Sequence, residues 1–318
     1  MKNLKLSLFG LGLAAITIAS CSSGTQTTTT VSGLNPERFD SVVNGKATAL
    51  YTLKNNNGME VCITNFGGRV VSIIVPDKDG NPTDVVLGYD NLAQYTDSVN
   101  SPSDYGSTVG RYANRINQGK ITIEGVEYQL PKNNFGHCLH GGFSGWMYQV
   151  YDAVQPNDST LEMTIVSPDG DNGFPGTVTA KATYTVLSNN TLDIVFEATT
   201  DKETVVNMTN HCYFNLNGDP SKVGTDMTLY INADNYTPAD ATYMTTGEIA
   251  SVEGTPMDFR NPHVIANTIC DTTFQQIKNA TGYDHNWCLN TYKDGKGDDK
   301  TVCASLWSAK TGILLEMF

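Results

Sequence analysis

A strict alternation of apolar and polar residues between positions 178 and 198 constrains the fold of this 318-residue chain more than any other feature. Apolar side chains occupy every second position of residues 178–186, Asn189-Asn190 interrupts the pattern, and residues 192–198 then alternate again. A period of two is the repeat of a β-strand with one buried face, and an Asn-Asn pair between two such runs favours a turn. The segment therefore predicts a long β-hairpin.

The same pattern recurs along the chain, whereas helical patterns are rare. A second hairpin is predicted over residues 121–130, with Glu124-Gly125 at its turn. Short helical segments are predicted at residues 91–97 and within residues 263–277. Further strands are predicted at 48–54, 59–64, 69–75, 147–153, 160–166, 226–232 and 301–307. Many strands and few helices predict an all-β fold, in the form of a large antiparallel two-sheet β-sandwich whose curvature leaves a groove on one face.

The start of the chain differs in composition from the rest. Two lysines precede an apolar run at residues 6–18 that is too short for a stop-transfer helix. The run closes on small residues followed by Cys21, a pattern typical of a bacterial lipobox, in which the cysteine becomes the lipidated N-terminus. We therefore predict a lipoprotein signal peptide at residues 1–21. The alternative is an ordinary secretion signal with an incidental cysteine.

The next segment is rich in Ser, Thr, Gly and Gln, which is typical of a flexible linker. We predict a flexible tether at residues 22–34 and one folded domain at residues 35–318. A domain of this length is within the range of large single β-domains. Together with lipidation at Cys21, this order predicts an exported lipoprotein anchored to a membrane and facing the periplasm.

Charge and cysteine content exclude some classes of partner. The formal net charge is −13, and loss of Lys2 and Lys5 with the signal peptide makes it −15. A strongly acidic protein is poorly suited to bind nucleic acid or anionic lipid, whereas its net charge does not oppose the binding of a neutral ligand. The cysteines other than Cys21 are scattered without metal-type spacing. Their strand-like surroundings favour buried free thiols, with disulfides as the alternative for an exported protein.

Four polar clusters stand out against the strand pattern, and each places a functional side chain beside glycine or asparagine. They suggest one polar pocket that is assembled from several loops. The clusters are Gly110-Arg111-Tyr112-Ala113-Asn114-Arg115-Ile116, Leu139-His140-Gly141-Gly142, Asn207-Met208-Thr209-Asn210-His211-Cys212-Tyr213-Phe214-Asn215-Leu216 and Gly282-Tyr283-Asp284-His285-Asn286.

The two histidines are candidates for acid–base chemistry. An imidazole titrates near neutrality, so His211 can donate and accept a proton there. The pair Tyr213-Phe214 suits one wall of a sugar site, because the C–H faces of sugars pack on aromatic rings. The glycines after His140 allow close approach of the backbone to a ligand. The alternatives are a structural hydrogen-bonding role for His211 and a glycine turn with an incidental His140.

The remaining clusters offer fixed donors and acceptors. Arg111, Asn114 and Arg115 supply guanidinium and amide groups that suit sugar hydroxyls, with surface charge as the alternative. Asp284 is a candidate bidentate acceptor for two hydroxyls, with an Asx-turn after Gly282 as the alternative. The chain has no nucleotide-binding glycine motif and no histidine spacing of a zinc site, so no cofactor and no catalytic metal are predicted.

In this order, the four clusters closely resemble those of the aldose 1-epimerases, or mutarotases. The resemblance runs from about residue 65 to the end of the chain. It includes Asp84-Val85-Val86-Leu87-Gly88-Tyr89, Asn172-Gly173-Phe174-Pro175-Gly176, Asp234-Asn235-Tyr236-Thr237-Pro238 and Gly254-Thr255-Pro256-Met257-Asp258-Phe259. The resemblance implies a β-sandwich of the galactose-mutarotase type. It also implies a cofactor-free interconversion of the α and β anomers of free hexoses such as glucose and galactose, by an enzyme that is often a monomer.

The resemblance also implies roles for individual residues. His211 matches the general acid that protonates the ring oxygen, and His140 matches a histidine that binds and polarises the same region. Asn114 and Arg115 match the Asn-Arg pair that contacts the sugar. Asp284 matches a carboxylate that binds sugar hydroxyls. Ring opening, rotation about C1 and closure on the other face would then exchange the anomers.

One departure from the family concerns the general base, which is a glutamate in a segment near the family's C-terminus. Glu316 is a tempting match, but Ser308 to Glu316 resembles an earlier strand of the family. We therefore interpret the chain as C-terminally truncated and expect little or no epimerase activity from it. The alternatives are a sugar-binding lipoprotein without catalysis, an inactive fragment, and an epimerase for phosphorylated or oligomeric sugars.

Overall fold

The computed structural model describes residues 29–318. The predicted signal peptide at residues 1–21, the lipidation site Cys21 and most of the predicted tether lie outside the described residues. Within the described part of the chain, no helix is both long and apolar enough to cross a membrane.

Short strands dominate the described residues, and helices are few. The strands are β1 Ser41–Val43, β2 Lys46–Thr48, β3 Leu50–Lys54, β4 Glu60–Thr64, β5 Arg69–Pro76, β6 Pro82–Asp84, β7 Thr108–Val109, β8 Arg115–Ile116, β9 Lys120–Ile123, β10 Val126–Gln129, β11 Cys138–Leu139, β12 Asp152–Asn157, β13 Thr160–Ser167, β14 Val178–Val186, β15 Leu192–Thr200, β16 Thr209–Asn210, β17 Thr228–Ile231, β18 Ala233–Thr237, β19 Ala250–Ser251, β20 His263–Val264, β21 Asn286–Leu289, β22 Ala304–Trp307 and β23 Leu314–Met317. The α-helices are α1 Leu92–Thr96 and α2 Gln275–Ala280, and 3-10 turns lie at Pro36–Phe39, Asn117–Gly119, Trp146–Tyr148, Asp171–Gly173 and Ile265–Asn267.

Antiparallel pairing joins these strands into sheets. Three sheets have four strands each, in the orders β3-β4-β5-β6, β12-β13-β14-β15 and β20-β17-β22-β23. A three-stranded sheet has the order β19-β18-β21, and four two-stranded ribbons pair β1 with β2, β7 with β16, β8 with β11, and β9 with β10. The ribbons matter for function, because β7, β8, β11 and β16 carry or flank three of the four polar clusters.

The main core lies between the first two of these sheets. The β14 residues Val178, Ala180, Ala182 and Tyr184 are fully buried there, as the alternation predicts. They pack in one cluster with side chains of β3, β4, β5 and β13. Burial of one face of each sheet is the favourable term that holds the two together. The predicted all-β sandwich is therefore confirmed.

The strand predictions are mostly confirmed, with two local differences. The two hairpins form with Val186 opposite Leu192 and with Val126 opposite Ile123. Residues 147–153 begin instead as a 3-10 turn, in which the N–H of Gln149 donates to the carbonyl of Trp146 at 3.1 Å. The short helix expected within residues 263–277 lies later, at α2, because the first residues pair as β20 with β17.

The packed part of the chain begins before Asn35. The backbone N–H of Val31 donates to Glu60 Oε1 at 2.7 Å, and the side chain of Leu34 packs on the cluster around Phe39. The last residues of the predicted tether 22–34 therefore lie against the domain. The six cysteines of the described residues are free thiols, of which Cys62, Cys138 and Cys303 are buried.

Two buried arginines connect the sheets to the loops. Arg69 of β5 is fully buried and donates from Nη1 to the carbonyls of Ser103 and Tyr105 and from Nη2 to that of Met147. Arg111 is also buried and donates to carbonyls of residues 167–168 and 175–176. Each guanidinium thus supplies hydrogen bonds to several carbonyls of the loops, and Arg111 also to the carbonyl at the end of β13.

We predict that Arg69→Met lowers the free energy of unfolding by about 3 kcal/mol or more, because one buried and two partly buried carbonyls lose their donor. Urea denaturation followed by tryptophan fluorescence measures the loss. The matched control is Arg38→Met, which breaks an exposed ion pair with Asp90 and is expected to change stability by less than about 1 kcal/mol. Equal stability of the two variants would contradict the role given to Arg69.

Candidate active site

His211 is positioned by backbone pairing rather than by bonds to its ring. It directly follows β16, which pairs with β7. Its N–H donates to the carbonyl of Ser107 at 2.9 Å, and its carbonyl accepts from the N–H of Gly106 at 2.9 Å. The ladder therefore brings the His211 segment beside residues 104–107.

His140 lies in the loop after β11, and the glycines around it allow close packing of loops. A Cβ at Gly141 would lie 2.3 Å from the carbonyl oxygen of Gly110, and one at Gly145 would lie 2.2 Å from the carbonyl oxygen of His140. Gly141, one of the two glycines expected to allow the approach of a ligand, thus admits the Gly110 backbone. The His140 and His211 rings meet edge to face with centroids 5.3 Å apart.

The backbone fixes the tautomer of His140. The N–H of Asn114 donates to His140 Nδ1 at 3.0 Å. Because a backbone N–H can only donate, Nδ1 is the acceptor, and the neutral ring carries its proton on Nε2. Burial lowers the pKa of His140 to about 4, an effect that the nearby carboxylates of Asp104 and Asp284 oppose. His140 is therefore neutral at pH 7 and presents an N–H donor to the site.

Asp104 is a member of this site that the sequence analysis missed. Its Oδ2 lies 3.8 Å from His140 Nε2, which is too long for a hydrogen bond. One ligand atom each from Asp104, His140 and His211 lie within 4.8 Å of one another. The signal in the sequence was weak, since Ser103-Asp104-Tyr105-Gly106 reads as an ordinary turn. Only the pairing of β7 with β16 reveals its position.

Within residues 29–318, the same three side chains form a group that could hold a metal ion, yet the tautomer of His140 does not favour one. A metal-binding histidine almost always donates its second ring N–H to a neighbour. His140 does the opposite, because its second nitrogen accepts from Asn114. With a proton on Nε2, His140 offers a donor and Asp104 offers an acceptor. This arrangement suits hydroxyl groups better than a cation.

Arg115 and Asn114 border the two histidines. Arg115 is half-buried, and its Nε and Nη2 donate to Asn134 Oδ1 at 3.2 and 2.8 Å. Burial lowers the pKa of its guanidinium, and the carboxylate of Asp284 is the largest opposing influence. Asn114 is exposed, adopts a positive φ of 60°, and accepts from the Arg115 N–H at its side-chain oxygen.

Asp284 is exposed and acts on the same site from a distant part of the chain. Its carboxylate influences the pKa values of Arg115, His140 and Tyr213. Burial, together with Asp104 and Asp284, raises the pKa of Tyr213 to about 12. The Tyr213 ring lies 5.1 Å from that of His211. The structure therefore brings all five residues predicted for the site into one region.

Two other expectations about these clusters are wrong. Arg111 is a structural residue, since its guanidinium is buried and bonded to carbonyls and to Ser167 Oγ. Phe214 does not join Tyr213 in one aromatic wall, because it packs against the main core and its backbone bridges Val86. Neighbouring residues of an extended segment point to opposite sides, so one of the pair faces the site and the other the core.

Comparison with known proteins identifies the family. The sequence profile described as aldose 1-epimerase matches residues 49–318. The chain belongs to the aldose 1-epimerase family. It is 36% identical over 275 residues to the aldose 1-epimerase of Escherichia coli K12, covering 86% of this chain and 76% of that protein. It is also 36% identical over 274 residues to the galactose mutarotase of Rattus norvegicus, covering 86% and 75% of the two chains.

Solved structures show the same fold. A galactose 1-epimerase from Lactobacillus acidophilus NCFM superposes with a TM-score of 0.73 at 30% identity, covering 84% of this chain and 75% of that one. An aldose epimerase homologue from C. elegans gives a TM-score of 0.72 at 29% identity, covering 85% and 78%. The expected family and its β-sandwich are confirmed, and the family is one of isomerases.

The depressed pKa of His140 predicts a specific acid sensitivity of this mutarotase-family domain. The unfolded chain binds a proton at His140 below its ordinary pKa of 6.5, whereas the folded chain resists it until about pH 4. Stability is therefore lost as the pH falls from about 6.5 to about 4, by at most about 3 kcal/mol from this group.

We expect His140→Asn to remove that part of the pH dependence, because its Oδ1 can replace Nδ1 as acceptor for the Asn114 N–H but does not titrate. Urea midpoints measured from pH 4 to pH 7 for both proteins give the difference. If the stability of the variant had the same pH dependence as that of the wild type, the depressed pKa would not belong to His140.

Proposed function

We propose that this chain interconverts the α and β anomers of free hexoses, such as glucose and galactose, by acid–base ring opening and closure. The observation that carries the proposal is the convergence of Asp104, His140 and His211 at one point, with their ligand atoms within 4.8 Å of one another. Membership of the aldose 1-epimerase family and relatives named galactose mutarotase support the substrate class.

Anomer exchange needs one proton donor and one proton acceptor at neighbouring oxygens. The ring oxygen must gain a proton while the anomeric hydroxyl loses one, and the C1–ring-oxygen bond then breaks to give the aldehyde. Both oxygens are bonded to C1, so the two protein groups must lie within a few ångströms of each other. Rotation about the bond from C1 to C2 and reversal of both transfers give the other anomer.

We assign the donor role to His211 and the acceptor role to Asp104. Asp104 would fill the role of the general base that the sequence analysis did not find, so this proposal departs from the expectation of little or no epimerase activity. The ring of His211 is half-buried and lies beside Tyr213. The gap of 3.8 Å between Asp104 and His140 leaves the carboxylate free to accept from a sugar hydroxyl. The proton balance closes within one turnover, because closure of the ring returns each proton to its group.

The neighbouring side chains bind the sugar without exchanging protons. Neutral His140 donates from Nε2 to an oxygen near C1. Arg115 and Asn114 supply donors to hydroxyls, and Asp284 accepts from two of them. A neutral sugar suits this mixture, because its hydroxyl groups can accept from the Arg115 guanidinium and donate to the two carboxylates. The reaction needs no redox step, so acid–base groups of the chain suffice.

We expect His211→Ala and Asp104→Asn each to slow mutarotation at least about a hundredfold, the low end for loss of a positioned proton donor or acceptor. Polarimetry of freshly dissolved α-glucose and α-galactose measures the rate. His263→Ala and Asp90→Asn, which lie outside the site, are the matched controls. A near wild-type rate in the His211→Ala or the Asp104→Asn variant would overturn the role assigned to that residue. A wild-type chain that binds hexose but shows no mutarotation would favour the sugar-binding alternative.

We also propose that the protein is exported and anchored through a lipid at Cys21, facing the periplasm. The apolar run that ends in small residues and Cys21 supports this. Full-length protein expressed in a bacterial host should enter the detergent phase on Triton X-114 separation and incorporate labelled palmitate. Cys21→Ser should abolish both, and Cys270→Ser, which removes an exposed thiol of the domain, should change neither. Incorporation of labelled palmitate into the Cys21→Ser variant would exclude Cys21 as the anchor.

A further inference from the structure

We propose that Tyr213 and Tyr105 are positioning residues for the acid–base chemistry, because together they fix the orientation of the His211 ring. This inference rests on the proposed function, since it explains how the chain aims the proton donor assigned there. The Tyr213 ring lies 5.1 Å from that of His211, at an interplanar angle of 31°. The Tyr105 ring meets that of Tyr213 edge to face, with centroids 5.2 Å apart.

The ring of His211 needs support from its neighbours. The backbone bonds to Ser107 and Gly106 fix its main chain but leave its side-chain torsions free. The second torsion of a histidine has a broad energy profile, so rotamer preference alone does not aim the ring nitrogens. Within residues 29–318, the ring forms no hydrogen bond, and it contacts two other aromatic rings. Because proton transfer needs an aligned donor, these ring contacts must supply the alignment.

The two rings contact His211 in different geometries. The His140 ring lies at 89° to it, and the N–H of Asn114 holds His140 in place. The Tyr213 ring lies at a much smaller angle. Edge-to-face and offset arrangements are both favourable for aromatic pairs. A rotation of the His211 ring about its second torsion changes both angles at once, so the two contacts together favour one orientation.

Tyr213 is held in turn by a row of tyrosine rings that begins in the protein interior. Tyr95 of α1 is buried, and its hydroxyl accepts from the N–H of Tyr89 at 2.8 Å. The rings of these two residues are 5.1 Å apart, and the Tyr105 ring lies 5.5 Å from that of Tyr89. Tyr89 and Tyr105 also pack against the buried cluster that contains Tyr95. The row thus connects a buried side chain of the core to the ring of Tyr213.

The remaining contacts of Tyr213 are consistent with support rather than proton transfer. Its carbonyl accepts from the N–H of Leu87 at 2.9 Å, which places its segment beside the one that carries Tyr89. Burial, together with nearby carboxylates, raises the pKa of Tyr213 to about 12. Its hydroxyl is therefore protonated at pH 7 and does not compete with Asp104 for the proton of the sugar.

The first test measures the ring itself by NMR and does not depend on catalysis. The chain has five histidines, so isotope labelling of histidine gives few ring signals, and the His211→Ala variant assigns that of His211. We expect the order parameter of this ring to fall from above about 0.8 in the wild type to below about 0.6 in Tyr213→Leu and Tyr105→Leu. Tyr105→Phe should keep the wild-type value, because a phenylalanine ring makes the same edge contact.

The matched control is Tyr51→Leu, which removes a partly buried tyrosine that packs on the main core. It should leave the order parameter of the His211 ring unchanged. Tyr213 is 42% exposed, so Tyr213→Leu is expected to fold even if Tyr105→Leu does not. The ring test therefore gives a result in either case.

The second test is kinetic and uses Tyr105, which reaches His211 only through Tyr213. Its loss should disturb the alignment of the proton donor rather than the binding of the sugar. We expect Tyr105→Leu to lower kcat for mutarotation about tenfold, as loss of one aromatic contact allows, and to change KM less than about twofold. Tyr105→Phe should restore the wild-type kcat. Polarimetry at several sugar concentrations separates kcat from KM.

The two tests distinguish failure of this inference from failure of the proposed function. A His211 ring that stays rigid in Tyr213→Leu would overturn the inference. A lowered kcat in Tyr105→Leu with a rigid ring would also overturn it, because the loss would then come from movement of the adjacent Asp104. A ring that becomes mobile in a protein whose wild type shows no mutarotation would uphold the fixing of the ring and overturn the proposed function.

Discussion

Hydrogen bonds from two buried guanidinium groups to loop carbonyls are the constraint on which the site depends. Arg69 bonds the carbonyls of Ser103 and Tyr105, the residues on either side of Asp104. Arg111 bonds the carbonyl at the end of β13 and a loop carbonyl before β14. Buried carbonyls need donors, and those without a backbone partner must find a side-chain donor. Side chains of arginine take the place of strand partners, so loops with catalytic groups can lie against a sheet core.

Backbone groups, rather than other side chains, set the chemical state of the acid–base site. The Asn114 N–H selects the Nε2–H tautomer of His140, and burial keeps that ring neutral at pH 7. His211 is placed by a two-residue ribbon that also carries Asp104 toward it. Because these contacts involve the main chain, most substitutions nearby leave them intact. A neutral donor next to a free carboxylate suits a substrate that carries no charge.

The sequence predicted structure well where its pattern reflects burial. It did not predict the positions of residues that are set by pairing between distant segments. Alternation at β14 follows directly from one buried face, and it predicted both the hairpin and the sandwich. His140, His211, Arg115 and Asp284 were recognised because their neighbours are unusually polar or small. Asp104 was missed, since an Asp before Tyr-Gly is ordinary in a turn. Arg111 was wrongly predicted to bind a ligand, because the charge of a residue does not reveal whether it is buried. Its side chain is only 2% exposed.

Catalysis and recognition are built differently in this molecule, and that separation has a consequence. Asp104, His140 and His211 are held by main-chain pairing and by the core, whereas Arg115 is held by Asn134 and faces Tyr243 from the turns at residues 134–137 and 240–244. These turns contribute no group to the proton transfers. Changes in these turns can therefore move the Arg115 guanidinium, while the backbone pairing that places Asp104 and His211 stays the same. The fold thus separates the support of a binding group from the support of the groups that transfer protons.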